Sequence, residues 1–425
     1  MNVSLRYGNG DVVLSLAEAA SVDLLQERVT PVMKDVKSAF LHAITDCCVD
    51  SLPLHEVIQP GDKITVVVSD ITRYWMRQDI ICPLLTDYLC NTIGVRNEDI
   101  IFLVALGTHR PQSAEELEKL VSTQVYQSHM VVNHDSTAHD IIEVGTTSRG
   151  TVVRVNPLVV GRKVILLGGT VHHLMSGFGG GRKSILPGVC AEETIFQNHI
   201  HALDPDAPRS SPQIGMSVLH NNPVHEDMVE AAGFVAPAFG INLVVNSRQE
   251  HCAIVAGHWL HAWEESCKLV QAYFGLPIAK KADVVIASCG GYPKDINLYQ
   301  AVKTLLNASQ ALKDGGTMVF LAECREGGGT PAFFDWIKPL SEGKLDEALR
   351  KDFTISGYIF YAACEAIAKA HVMMLTSIPA DVVAPMGLHA FDDLTQMESE
   401  LNISGKDVYV MPYGGSIVPY LADEK

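Results

Sequence analysis

The segment Ser176-Gly177-Phe178-Gly179-Gly180-Gly181-Arg182-Lys183-Ser184 places a run of glycines directly before two cations. Glycine accepts positive φ and lets backbone N–H groups approach an anion. Gly179, Gly180, Gly181, Arg182 and Lys183 are therefore candidates to hold a phosphate-bearing cofactor. The spacing is not that of the G-x-x-x-x-G-K-[ST] loop, because Arg182 stands where its last glycine is required, and no clean G-x-G-x-x-G is present. Taken alone, such a loop serves equally well as a flexible turn. Its neighbourhood adds a nucleophilic amine in Lys183 and imidazoles in His172, His173, His199 and His201, the last two on a helix expected from Glu192 to His201. Imidazole suits nickel, zinc, copper and iron. A single histidine nonetheless sits more often in a hydrogen-bond network than on a metal.

Three further clusters carry chemistry. In Asp70-Ile71-Thr72-Arg73, Arg73 can fork onto a carboxylate while Asp70 orients a hydroxyl or the arginine itself; a structural Asp–Arg pair closing a turn is the plain alternative. In Gly107-Thr108-His109-Arg110-Pro111, the imidazole of His109 can exchange a proton near neutral pH, or Thr108 and His109 can cap a helix expected from about Ser113. In Gly290-Gly291-Tyr292-Pro293-Lys294-Asp295-Ile296-Asn297-Leu298-Tyr299-Gln300-Ala301-Val302-Lys303, Gln300 and Lys303 fall at i and i+3 on one helical face, where solvent-exposed polar residues would look the same.

These clusters need elements to position them. Short β-branched runs (Ile64–Ser69, Ile100–Leu106, Val164–Leu167, Ile241–Val245, Val284–Ala287, Met318–Leu321, Val372–Leu375, Val408–Met411) alternate with longer amphipathic stretches, the signature of βαβ units and an α/β fold with mostly parallel sheets. The clusters at Asp70, His109, His173 and Gly290 each follow such a run, where open α/β sheets bind ligands. A chain of 425 residues exceeds one hydrophobic core, so two domains are expected. After a helical stretch from His258 to Gly275, the break at Leu276-Pro277 and Lys280-Lys281 suggests domains of 1–275 and 276–425.

Composition excludes some partners. A formal charge of −17, from 32 basic and 49 acidic residues, repels nucleic acid and anionic membranes and leaves a small anionic substrate gripped by a few converging cations. The ten cysteines show no C-x-x-C spacing and read as reduced core thiols. No secretory pattern opens the chain and no apolar run is long enough to span a membrane, so a cytoplasmic location is expected.

In this order, D-x-T-R, G-T-H-R-P, H-x-x-x-G-F-x-G-G-R-K-S-x-x-P-G, a downstream His, N-P-V-H-E-D and G-G-Y-P-x-D-x-N-L-Y-Q-x-x-K resemble the nickel-dependent lactate racemase family, from Asp70 to Lys303. The resemblance implies a 2-hydroxy-acid racemase or epimerase with an active-site cleft between two domains. It matches Lys183 to the lysine bonded covalently to a nickel-pincer nucleotide and His199 to the nickel ligand. His109 and His173 match paired acid/base groups that act on the 2-hydroxyl as hydride leaves C2 and returns to the other face. Arg73 and Lys303 match carboxylate-binding residues, with Tyr299 and Gln300 beside them and Asp70 touching cofactor or Arg73. Cofactor-synthesis proteins are implied as loading partners.

Family members often follow D-x-T-R with proline, whereas this chain reads Tyr74-Trp75-Met76-Arg77. A bulky aromatic and an extra cation there suggest a substrate larger than lactate, such as malate or a sugar acid. Two rival readings remain: a zinc hydrolase using His172, His173, His199 and His201, and a non-catalytic nucleotide-binding protein.

Overall fold

Every β-branched run forms a strand in the computed structural model, which describes residues 1–329 and 332–422. By their contacts the residues divide into two units. One holds Val29–Pro205 and Ser211–Ala272; the other holds Met1–Arg28, Asp206–Ser210 and the chain from Tyr273 onward.

In the first unit six strands lie in the order His251–Gly257, Phe239–Val245, Lys163–Gly169, Ile64–Ser69, Ile100–Ala105, Met130–Asn133, all parallel except the first. Numbered along the chain this is 3-2-1-4-5-6 read from the other edge. Its topological switch point lies between Ile64–Ser69 and Lys163–Gly169, where crevices beyond the strand ends bind ligands. Both faces are covered, as parallel sheets require. Val66, Val68, Phe102, Val104, Ile165 and Leu167 pack with Phe40, Ile44, Ile81, Leu85, Leu117 and Leu120 from helices on one side. Val67, Leu103, Leu166 and Val244, of opposite parity, are also buried.

The second unit has six parallel strands in the order Leu388–Phe391, His371–Leu375, Leu312–Leu321, Ala282–Ser288, Asp407–Met411, Ser21–Leu24. The strand Ser21–Leu24 explains why the first residues belong here: it extends the sheet beside Asp407–Met411. Before it, the hairpin Asn2–Tyr7 and Gly10–Ser15 supplies Val3, Leu5 and Leu14 to a core with Val284, Ile286, Val319, Leu321, Val408 and Val410. Contiguous ranges of 1–275 and 276–425 miss this return of the N-terminus, because strand pairing does not follow chain order. No helix among the described residues is long and apolar enough to cross a membrane.

Candidate active site

The strand ends at the first unit's switch point carry two of the clusters. After Ser69, Asp70 caps a short turn by accepting from the Thr72 N–H at 3.1 Å and from its Oγ1 at 2.6 Å. The other carboxylate oxygen accepts from His109 Nδ1, and the Thr72 hydroxyl accepts in turn from the exposed Arg73 guanidinium. Burial of Asp70, only 3% exposed, works against its charge. The hydrogen bonds from His109 and Thr72 and the nearby charge of Arg73 outweigh burial and hold the carboxyl below its usual range. Asp70 therefore orients His109.

The His109 turn is fixed from outside. The Gly107 N–H donates to the Gly188 carbonyl at 2.9 Å, tying it to the glycine-rich segment. Gln112 accepts from the Ile71 N–H at 3.3 Å and exchanges two bonds with Asn133, so it joins the two turns. The helix beyond them is capped by Ser113, which forms a capping box with Glu116. Arg110 bridges the two Glu116 oxygens at 2.8 and 2.6 Å.

After the neighbouring strand, His172–His173 pairs antiparallel with Ser176–Phe178. Consecutive strand residues face opposite ways, and this separates the two histidines. His172 bonds Gln271 at 3.1 Å and lies against the Phe178 ring. His173 Nε2 lies 2.9 Å from Lys183 Nζ, while its Nδ1 accepts from the Met175 and Ser176 N–H groups at 3.2 and 3.3 Å. Withdrawal from water, then the charges of Arg182 and Arg73, push the Lys183 amine well below its ordinary value. Its charged form is thereby disfavoured, which favours the nucleophilic free amine.

His199 ends the helix Glu192–His199 and is 1% exposed. Burial, then the proximity of Lys183, push it down to about 3, so it is neutral. Its Nδ1 donates to the Ile195 carbonyl at 2.8 Å, which leaves the lone pair on Nε2. A backbone carbonyl holding the second ring nitrogen is the arrangement found behind metal-ligating histidines. Among the described residues no group of three or more His, Cys, Asp or Glu could hold a metal ion. The zinc-hydrolase tetrad is accordingly dispersed: His172 is on Gln271, and His201 is acted on by Asp227 and Arg149. Structural and catalytic zinc sites need three or four protein ligands. One neutral imidazole and one amine whose charged form is disfavoured instead fit a metal that arrives with its other donors on an organic group.

The glycine-rich loop differs from the expectation of a phosphate cradle. Gly179 donates its N–H to Val171 at 2.7 Å. Gly180 and Gly181 have φ of +76° and +53°, and a Cβ on them would meet the Gly169 carbonyl at 2.6 Å and Trp263 at 2.4 Å. Arg182, expected at the cofactor, is completely buried: it donates to His225 and to the carbonyls of Ser176, Phe178 and Gly180, and stacks 3.8 Å from the Trp263 ring centroid. Its guanidinium therefore shapes the loop that presents Lys183. Trp263, His225 and Asn222, which bonds the Met175 carbonyl, complete this frame. Of these, Asn222 and His225 lie in the N-P-V-H-E-D segment, and Asn222-Pro223 also carries a local signal, a capping residue before a proline at the first helical position.

Arg77 also departs from expectation. It is paired with both Asp79 oxygens at 3.0 Å, and Trp75 packs against the core. Neither supports a second-anion pocket, so the reading of a larger substrate loses its basis. In the other unit Gln300 and Lys303 are exposed and bonded to each other at 2.9 Å on the helix Leu298–Gln310, and Tyr299 packs edge-on against Phe333.

Residues 7–210 match the lactate racemase N-terminal domain and residues 278–418 the lactate racemase C-terminal domain. A lactate racemase of Thermoanaerobacterium thermosaccharolyticum is 30% identical over 340 residues, covering 79% of this chain and 78% of that protein. A lactate racemase of Lactiplantibacillus plantarum is 32% identical over 300 residues, covering 70% and 69%. The structure of the Thermoanaerobacterium lactate racemase apoprotein superposes with a TM-score of 0.85 at 27% identity, over 99% of this chain and 100% of that one. A Thermotoga maritima protein at 18% identity, with a TM-score of 0.61 over 93% of this chain and 100% of its own, shares the fold. The chain belongs to the lactate racemase family and is an isomerase of the racemase type.

Proposed function

We propose that this racemase interconverts the enantiomers of lactate, with a nickel-pincer nucleotide joined to Lys183 and its nickel on His199. What supports the reading is a Lys183 amine whose charged form is disfavoured by burial and by Arg182 and Arg73, near a neutral His199 whose Nδ1 is held by the Ile195 carbonyl. A charged ammonium would not attack an acyl carbon, and an imidazolium would not bind a metal. When bound, the group supplies an acceptor for the hydrogen on C2.

The chain's own residues do the remaining work. Arg73, exposed beside the turn, holds the substrate carboxylate, and its bond to Thr72 aims it. Gln300, Lys303 and Tyr299 are assigned a share in that binding by the family resemblance. His109, backed by Asp70, and His173, beside Lys183, act on the oxygen at C2. Exclusion of water from this crevice when substrate binds protects the 2-keto acid that racemisation passes through. A cytoplasmic location and loading by cofactor-synthesis proteins belong to the same proposal.

The test is production in a host that makes the cofactor, followed by intact mass, peptide mapping and a chiral lactate assay. An adduct on Lys183 together with interconversion of both enantiomers is expected, and both should vanish in Lys183→Ala. Full adduct without turnover of lactate would refute the substrate, and active protein without an adduct would refute the cofactor.

A further inference from the structure

The cysteines do not all fit the core thiols expected from the sequence. Six of the ten are buried and three are half-buried, but Cys47 is exposed. It follows the helix Val36–Thr45, whose end closes on a single carbonyl: the N–H groups of Asp46 and Cys47 both donate to the His42 oxygen at 3.0 Å. That wrap carries the side chains four and five positions after His42 back to its ring. Asp46 Oδ2 lies 3.1 Å from His42 Nδ1, and Cys47 Sγ lies 3.0 Å from His42 Nε2.

The protons are assigned by what each group can do. The bond from His42, then one from Thr45, holds the Asp46 carboxyl below its usual range, so the carboxylate only accepts. Nδ1 therefore carries a proton, and in the neutral ring Nε2 offers its lone pair to the Cys47 thiol. Nucleophile, base and orienting carboxylate stand in the relation that activates cysteine in covalent catalysis. The end of a helix is also where an imidazolium is favoured. Cys48 provides the contrast: it is half-buried, donates to the Ala43 carbonyl at 3.5 Å, and is pushed up by burial and then by Cys47 and Asp46.

The side chains of His42 and Asp46 are 61% and 70% exposed, so the group has solvent around it and suits a small reagent rather than an enclosed substrate. Val49, two residues beyond Cys47, bridges to Gly257, which pairs with Gly240 near the start of Phe239–Val245. The group thus lies toward the starting ends of the first unit's parallel strands, whereas Asp70, His109 and His173 follow finishing ends.

We propose that Cys47 is a modification site, a thiol oxidised by hydroperoxides with His42 as its base and acid and Asp46 holding His42 in place. As the sulfur attacks the near peroxide oxygen, the Cys47 proton passes to His42 Nε2, the O–O bond breaks, and the leaving oxygen takes a proton from the same nitrogen. Thiol and hydrogen peroxide become sulfenic acid and water; sulfur is oxidised by two electrons and the peroxide is reduced.

The site does not depend on the cofactor, so the full-length chain without it serves for the test. Reduced protein is treated either with hydrogen peroxide and dimedone, which traps sulfenic acid, or with iodoacetamide, and labelling of Cys47 and Cys48 is timed by peptide sequencing in the mass spectrometer. Cys47 should react about tenfold or more faster than Cys48 with either reagent. H42Q keeps a hydrogen-bonding side chain but cannot take a proton. It should slow peroxide labelling of Cys47 by about tenfold or more and alkylation by only about threefold, because iodide leaves without a proton. D46N should slow the peroxide reaction by about threefold or more, although removing a negative charge would by itself ease ionisation of the thiol. Equal labelling of Cys47 and Cys48, an unchanged peroxide rate in H42Q, or a faster one in D46N overturns the proposal.

Discussion

Replacing Asp70 with asparagine tests how His109 is set. The carboxylate is 3% exposed and accepts three hydrogen bonds, two from Thr72 on one oxygen and one from His109 on the other. Asparagine keeps one acceptor, and the two Thr72 donors will claim it. Its NH2 then faces His109 Nδ1, and two donors cannot share that contact. The imidazole answers by moving its proton to Nε2, which removes the lone pair needed to take the hydroxyl proton. General acid–base catalysis contributes on the order of 10²–10⁴-fold, so kcat for lactate in loaded D70N should fall by about that factor. Carboxylate binding is assigned to other groups, so KM should change by less than about threefold. Both effects are read by chiral chromatography under initial-rate conditions. Because Asp70 acts through His109, the double variant D70N/H109Q should be no slower than H109Q alone. Retention of kcat within about threefold in D70N, or additive losses in the double variant, would refute the reasoning.

Other predictions follow from burial. R182M removes the donors that satisfy the carbonyls of Ser176, Phe178 and Gly180; unmade buried hydrogen bonds cost about 1–3 kcal/mol each, so a marked loss of stability in urea is expected and an unchanged midpoint would contradict the framing role. His199 and His225 are held neutral, each down at about 3, mainly by burial. Their stabilisation is complete above the unfolded value of about 6.5 and is lost as pH falls toward about 3, at up to about 1.4 kcal/mol per pH unit for each. Unfolding free energy of the cofactor-free protein should decline over that window, and less steeply in His225→Gln; an identical slope would argue against it. Among the described residues no hydrogen bond of normal geometry reaches the buried ring nitrogens of His129, which sits edge-on to Phe102. His129→Leu should therefore stabilise by about 1–2 kcal/mol in chemical denaturation, and destabilisation would show that the ring is satisfied in solution.

The sequence by itself determined the α/β class, because strand-length β-branched runs and helix-length amphipathic stretches are local patterns set by backbone geometry. It also determined which residue types could do chemistry, since Asp70, Arg73, His109, His173 and Lys183 each follow a strand run. What it left open was pairing over long separations. Only strand order placed Ile64–Ser69 beside Lys163–Gly169 and so made a switch point of their ends. Only the hairpin pleat turned His173, and not His172, toward Lys183. The strand Ser21–Leu24 joined a sheet hundreds of residues away because an unpaired sheet edge takes whatever strand fits it. Arg182 shows the limit most clearly: a cation in a glycine-rich loop looks like an anion binder, yet Trp263 and His225 reach it from distant positions, and the carbonyls of Ser176, Phe178 and Gly180 turn onto it from its own loop. Residue type says what a side chain can bond; the folded backbone decides which partners are within about 3 Å, and that choice sets each ring's proton and the role it can take.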